Sequence, residues 1–118
     1  MENNKINLMD RIPERQIVNT IKMALKNGPR FGMQKSINVK DVVIENNSLI
    51  VNYIPEVKNK ISVYEDITQV MGFITAFIGN DLETKRIYTL GVQAIVDRRP
   101  YIYVVSPIVV AKEIGKGN

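Results

Sequence analysis

A pattern that recurs after 52 residues constrains this fold more than any other feature of the chain. Residues 42–55 are echoed position for position by residues 94–107, a separation of 94 − 42 = 52. Each run holds two apolar stretches, a polar turn between them and a closing proline. The same separation aligns four pairs in the preceding helical pattern: Val18 with Val70, Ile21 with Phe73, Ala24 with Ala76, and Leu25 with Phe77. Because repeated segments adopt a common supersecondary plan, the chain is predicted to contain two helix–hairpin units.

The first unit is predicted to span residues 10–57. Apolar residues recur at helical spacing from Ile17 to Leu25, with Asp10 as the N-cap. The sequence Asn27-Gly28-Pro29 ends this helix, with Gly28 expected to adopt the left-handed conformation. Strands are predicted near residues 37–44 and 49–54, joined by a turn at residues 45–48.

The second unit is predicted to span residues 61–111. Ser62 and Glu65 have the spacing of a capping box, and the helix that follows is apolar on most sides until Gly79 and Asn80 end it. Strands are predicted near residues 86–96 and 101–111, joined by residues 97–100. Residues 1–9 and 114–118 are expected to be flexible, so residues 1–118 are interpreted as a single domain.

Two such units bury most apolar surface when their hairpins form one four-stranded antiparallel sheet with both helices on one face. The predicted fold class is therefore α+β, and the predicted topology is a circularly permuted ferredoxin-like arrangement. A curved sheet with helices at opposite ends is the main alternative.

The absence of two residue types excludes several kinds of chemistry. The chain contains no cysteine and no histidine, so disulfides, serine or cysteine triads and histidine-ligated metals are excluded. Any catalysis would rely on carboxylates, Lys, Tyr, Ser or Thr. The acids Glu65 and Asp66 are adjacent at a helix start, where capping and the helix dipole account for them. No catalytic residue, cofactor or metal site is predicted, and a small-molecule enzyme is only the third hypothesis.

The whole chain has a formal net charge of +4, and its excess of positive charge is concentrated in the first half. No acid lies between Glu14 and Asp41. The candidate anion or nucleic-acid site in this window is Lys22, Lys26, Arg30, Lys35 and Lys40. Clustered cations release counterions from phosphates, and tyrosines on predicted strands could stack on bases: Tyr53, Tyr88, Tyr101 and Tyr103. The turn containing Arg98 and Arg99 is a weaker candidate because Asp97 partly neutralises it.

The last predicted strand is apolar on both sides, which favours a covering partner. Ile102 and Val104 lie on one side, while Tyr101, Tyr103 and Val105 lie on the other. Large exposed apolar patches are rare on stable monomers, so a homo-oligomer is predicted, most simply a two-fold dimer. Tyr101, Tyr103 and Val105 are the predicted interface residues.

The leading functional hypothesis is a non-catalytic, self-associating interaction or regulatory module. The alternative is a basic protein that binds single-stranded nucleic acid, chiefly RNA. No secretory signal and no apolar run long enough to span a bilayer is apparent, so a cytoplasmic protein without a membrane partner is expected.

Overall fold

A computed structural model describes residues 13–115, with side chains through residue 113. In this part of the chain there are three α-helices and one four-stranded sheet. The helices are α1 (Glu14–Lys26), α2 (Lys60–Thr84) and α3 (Ile108–Gly115), the strands are β1 (Val39–Glu45), β2 (Ser48–Tyr53), β3 (Thr89–Val96) and β4 (Arg99–Pro107), and a short 3₁₀ helix covers Gly28–Phe31. The predicted α+β class is confirmed. Asp10 and the flexible segment predicted at residues 1–9 lie outside the described residues.

The sheet is mixed, which corrects the antiparallel prediction. Its strand order is β1-β2-β3-β4, and the two hairpins join in one sheet as predicted. β1 and β2 are antiparallel, as are β3 and β4, but β2 and β3 are parallel. Parallel neighbours need a long crossover, and the 25-residue α2 supplies it. Since β3 rather than β4 lies beside β2, the circularly permuted ferredoxin-like topology is not confirmed.

One face of the sheet supplies the hydrophobic core and is called the inner face below. On β2, Leu49, Val51 and Tyr53 are buried and alternate with half-buried residues. They belong to one core cluster with residues of all three helices, including Ile21 of α1 and Ile74 of α2. Fully burying an aliphatic side chain of this size contributes about 1.5–3 kcal/mol to folding. That contribution fixes the register of β2, because a shift by one residue would expose its apolar side chains.

Both hairpins close through two-residue turns with left-handed backbone. Asn46 and Asn47 have φ angles of 50° and 63°, while Asp97 and Arg98 have φ angles of 53° and 67°. Positive φ at both central residues is the signature of the type I′ turn, whose twist matches that of the flanking strands. The turn predicted at residues 45–48 is thereby confirmed, and the connection predicted at residues 97–100 is narrowed to its first two residues.

The ends of α2 differ from the prediction at both termini. The side chain of Asn59 caps the helix by accepting a hydrogen bond from the Ser62 N–H at 2.9 Å, so Ser62 is not the cap. The helix also continues past Gly79 to Thr84, through a kink at Ile78 with φ −139° and ψ 18°. A Cβ on Gly79 would lie 3.2 Å from the Lys112 side chain of α3. Gly79 therefore permits close helix packing and does not end the helix.

Residues 108–111, predicted as strand, form the start of α3. Strand pairing stops where Pro107 faces Thr89, because a proline cannot donate to the ladder. Ile108 and Ala111 are buried, whereas Val109 and Val110 between them are exposed. Burial at a spacing of three residues belongs to a helix rather than a strand. Residues 114 and 115 of the predicted flexible tail lie within α3.

The predicted repeat matches the order of the elements but not the faces of the strands. At a separation of 52 residues, Val51 corresponds to Tyr103 and Tyr53 to Val105. Val51 and Tyr53 are buried, yet Tyr103 and Val105 are 48% and 51% exposed. The helix alignment fails similarly, since Leu25 is buried and its counterpart Phe77 is 40% exposed.

No helix within the described residues is long and apolar enough to cross a membrane.

Candidate functional sites

The loop after α1 folds back tightly and positions Lys35. Gly32 has a left-handed φ of 96°, which glycine adopts without steric cost. Gly28, which was predicted to be left-handed, instead belongs to the 3₁₀ helix. A Cβ on Gly28 would collide with the carbonyl oxygen of Lys35, so glycine is needed there for close approach of the backbone. The Ile37 N–H then donates to the Leu25 carbonyl at 2.9 Å, which holds the segment carrying Lys35 against the end of α1.

The partly exposed Lys35 forms a polar cluster with the buried Tyr53 and Asp66. The Asp66 side chain is almost fully buried, and Lys35 Nζ lies 2.6 Å from its Oδ1. The Tyr53 hydroxyl donates to Asp66 Oδ2 at 3.1 Å and lies 3.4 Å from the Val63 carbonyl oxygen. Burial, followed by the negative charge of Asp66, raises the pKa of the Tyr53 hydroxyl far above its ordinary value. Tyr53 therefore stays protonated and acts as a hydrogen-bond donor.

The role of Asp66 corrects the sequence interpretation. Asp66 does not serve the start of α2, where Asn59 is the cap. It lies on the buried stripe of the helix with Val63, Ile67 and Val70. These four positions have the spacing i, i+3, i+4, i+7 of a single helix face. A carboxylate within an apolar stripe was the signal available in the sequence, since a buried charge needs a partner.

A cleft of about 460 Å³ opens beside this cluster. Its size is within the range of small-molecule sites. It is formed by the end of α1, the segment before β1, the end of β2 with the loop that follows, and α2. The lining residues are Lys26, Lys35, Ser36, Ile37, Asn38, Tyr53, Ile54, Pro55, Glu56 and Asp66. The cleft thus presents two cations, two carboxylates, and both polar and aliphatic side chains.

The structure brings only part of the predicted cation set together. Lys26 and Lys35 both line the cleft. Lys22 is half-buried on α1, Arg30 is exposed on the 3₁₀ helix, and Lys40 is exposed on β1, and none of these three lines it. Residues 15–40 contain no acid in the sequence, but the fold brings acids close to them. Asp66 contacts Lys35, and Glu56 lines the same cleft.

The second candidate site is the sheet face opposite the core, called the outer face below. Strand pairing places Val43, Ile50, Gly91 and Val105 in one row that crosses all four strands. The Tyr103 side chain lies over Gly91, since a Cβ there would come within 2.9 Å of the Tyr103 ring. Val43, Tyr103 and Val105 are 38%, 48% and 51% exposed. The two ends of the apolar row and the Tyr103 ring are therefore open to solvent, whereas Ile50 is half-buried and Gly91 is buried.

A row of polar residues runs beside the apolar row, and its amide side chains hydrogen-bond within the row. Asp41, Asn52, Gln93 and Tyr103 are paired across the four strands. Asn52 donates to Asp41 Oδ1 at 2.6 Å, and Gln93 donates to Asn52 Oδ1 at 3.0 Å. Because these amides are hydrogen-bonded within the sheet, covering this row costs less than covering unpaired polar groups.

The tyrosines proposed to stack on bases are divided between two environments. Tyr53 is buried in the core and cannot contact a base. Tyr88, Tyr101 and Tyr103 are exposed, with the last two on β4. Arg98 and Arg99 are exposed at the tip of the second hairpin.

Within the described residues, no group of three or more acidic side chains is placed to hold a metal ion. Comparison with protein-family models, curated proteins and solved structures finds no match to this chain. The functional argument therefore depends on the geometry of the two sites.

Proposed function

We propose that this protein is a non-catalytic interaction module that associates with a second copy of itself through the outer face. The observation that carries the proposal is the apolar row of Val43, Ile50, Gly91 and Val105, which crosses four strands, is exposed at Val43 and Val105, and has the exposed Tyr103 lying over its glycine. A cytoplasmic location, expected from the sequence, is part of the same proposal.

The physical support is the chemistry of this face. Stable monomers rarely expose contiguous apolar patches, and tyrosine is enriched at interfaces because it combines a large apolar ring with a polar group. The charged strand residues paired into this face are Asp41 and Glu45, both on the edge strand β1. Covering the centre of the face therefore removes little charge from water.

Strand order gives the proposed contact a specific register. A two-fold axis parallel to the strands would place β1 over β4 of the second copy, with the two faces about 10 Å apart. Val43 would then lie opposite Val105 of the second copy, and Ile50 opposite Gly91 and the Tyr103 ring that covers it.

The test of association is light scattering at micromolar concentration for the wild type, Tyr103→Lys and the control Tyr64→Lys. Tyr64 is an exposed tyrosine on α2, 51% accessible, and has no role in the proposed contact. We expect a wild-type dimer, a Tyr103→Lys monomer and a Tyr64→Lys dimer. A monodisperse wild-type monomer whose solubility is unchanged by Tyr103→Lys would contradict the proposal.

The register is tested by cross-linking, since the chain has no cysteine of its own. In a mixture of Val43→Cys and Val105→Cys proteins, a short bismaleimide that can span two facing sheets should link heterodimers faster than it links either variant to itself. Equal rates, or faster self-linking of Val105→Cys, would contradict the two-fold axis parallel to the strands.

Single-stranded nucleic-acid binding remains the alternative proposal, and it has less support. Of the five predicted cations, Lys35 is paired with Asp66 and Lys22 is half-buried. The test is RNA binding as a function of salt for the wild type, Lys26→Glu/Arg30→Glu and Arg98→Ala/Arg99→Ala. Binding that falls steeply with salt and is lost in the first variant would favour this alternative over the interaction module.

A further inference from the structure

The cleft at the end of α1 has features that self-association does not use. Its buried wall is Asp66, almost fully buried, which binds Lys35 Nζ at 2.6 Å and accepts from Tyr53 at 3.1 Å. This wall holds the Lys35 ammonium in place at the cleft. An ammonium has three N–H donors, and the contact with Asp66 uses one of them.

The charges of the lining point to the class of ligand. Lys26 and Lys35 supply two positive charges, and Glu56 and Asp66 supply two negative charges. Asp66 is compensated by Lys35, whereas no ion pair joins Lys26 to Glu56 within residues 13–113. A polyphosphate would meet a lining without net charge, which gives it little electrostatic gain. A ligand with separated positive and negative groups can be complementary to both Lys26 and Glu56.

The apolar part of the lining restricts the ligand further. Ile37, Ile54 and Pro55 contribute aliphatic surface beside Ser36 and Asn38, which can donate or accept hydrogen bonds. Small-molecule sites commonly combine an apolar wall with a few convergent polar groups, and a volume of about 460 Å³ accommodates a ligand of this kind.

We propose that this cleft binds a small zwitterion, an α-amino acid with an aliphatic side chain. The ligand carboxylate would lie toward Lys26 and Lys35, its ammonium toward Glu56, and its side chain against Ile37 and Ile54. This inference is independent of the association proposed for the outer face, since the two sites share no residue.

The test is calorimetric titration of the intact protein with L-leucine, L-isoleucine and L-valine. Isocaproate, which lacks the ammonium, isoamylamine, which lacks the carboxylate, and inorganic phosphate are the matched probes. We expect at least one amino acid to bind at least about tenfold more tightly than any of the three matched probes. Absence of binding by all three amino acids, or phosphate as the tightest ligand, would overturn the proposal.

Variants test the two charges separately. Lys26→Gln and Glu56→Gln should each weaken amino-acid binding about tenfold, whereas the control Lys58→Gln, an exposed lysine outside the cleft, should leave it unchanged. Lys26 and Glu56 are both exposed, so their variants should unfold at the wild-type temperature. Equal loss in Lys58→Gln, or no loss in Glu56→Gln, would contradict the assigned orientation. Light scattering on the same samples keeps this result separate from that for self-association.

Discussion

The two hairpins share a turn type but direct their apolar residues differently. In the first, residues 49, 51 and 53 of β2 return to the core after the turn. In the second, Tyr101 and Tyr103 of β4 lie on the solvent side, and Ile102 and Val104 are packed against the core. The sequence echo at 52 residues pairs Tyr103 with Val51, but in the structure Tyr103 is the counterpart of Asn52. This change of one residue in the alignment moves the tyrosines to the solvent side, because successive side chains of a strand point to opposite faces.

The difference arises at the turn and at a bulge. Before the turn, the separation of 52 residues holds, since Val42 and Ala94 are both buried. The turns themselves, Asn46-Asn47 and Asp97-Arg98, are separated by 51 residues (97 − 46). In β4 the register then shifts between Ile95↔Pro100 and Ala94↔Ile102, which leaves Tyr101 as an extra, bulged residue. The bulge directs Ile102 inward and the flanking tyrosines outward.

The variants with the largest expected effect on this comparison delete one residue from the second strand of each hairpin, β2 or β4. Deletion of Ile50 moves Val51 and Tyr53 to the outer face, so we expect loss of the folded state, since domains of this size are stable by only about 5–15 kcal/mol. Deletion of Tyr101 removes only the bulge and leaves Ile102 paired with Ala94, so the protein should still fold. Circular dichroism during thermal unfolding measures both. A folded Ile50 deletion would show that β2 can restore its register elsewhere.

The buried end of the first hairpin has an anchor that the second lacks. Tyr53 bonds to Asp66, whereas its counterpart Val104 has no polar group. Asp66→Ala should destabilise the protein by about 1–3 kcal/mol, because it leaves the buried Tyr53 hydroxyl without its acceptor. Val104→Ala removes only methyl groups and should cost less. Urea unfolding of the two variants gives this order, and an equal loss would remove the energetic distinction between the hairpins.

The same anchor predicts a pH dependence at alkaline pH. The folded state raises the pKa of Tyr53, whereas in the unfolded chain a tyrosine has its ordinary pKa of about 10. Below about pH 10 both states are therefore protonated at Tyr53, and the free energy of unfolding does not depend on its titration. Above that value the unfolded state loses the proton and the folded state keeps it. Stability therefore falls as pH rises, by about 1.4 kcal/mol at about pH 11.

The control for this prediction is a tyrosine of the second hairpin. Tyr53→Phe should reduce the alkaline loss of stability, whereas Tyr103→Phe, on the exposed strand, should retain it. Urea unfolding at neutral and alkaline pH measures the difference. An alkaline loss that is unchanged in Tyr53→Phe would show that another group is responsible.

The sequence correctly predicted the elements that depend on hydrophobic periodicity and on turn residues. Apolar spacing located α1 and the two hairpins, and the polar run at Asn46-Asn47 located the first turn. It did not predict the parallel pairing of β2 with β3, since that depends on how the long α2 crosses the sheet. The length of α2 was missed because Gly79 resembles a helix stop unless α3 is known to pack against it. Of the five cations predicted from charge, Lys26 and Lys35 line the cleft, whereas the sequence did not predict that Asp66 would join them there, because its burial depends on tertiary packing.

The smallest predicted effect concerns the turns. Arg98 has φ 67° and Asn47 has φ 63°, so both occupy the left-handed region, which asparagine tolerates better than arginine. Arg98→Gly should relieve this backbone cost and stabilise the protein by about 0.5–1 kcal/mol, raising its melting temperature by several degrees. Asn47→Gly should change stability less. Differential scanning calorimetry compares the two, and a destabilising Arg98→Gly would mean that the arginine side chain contributes more to the second hairpin than its strained backbone costs.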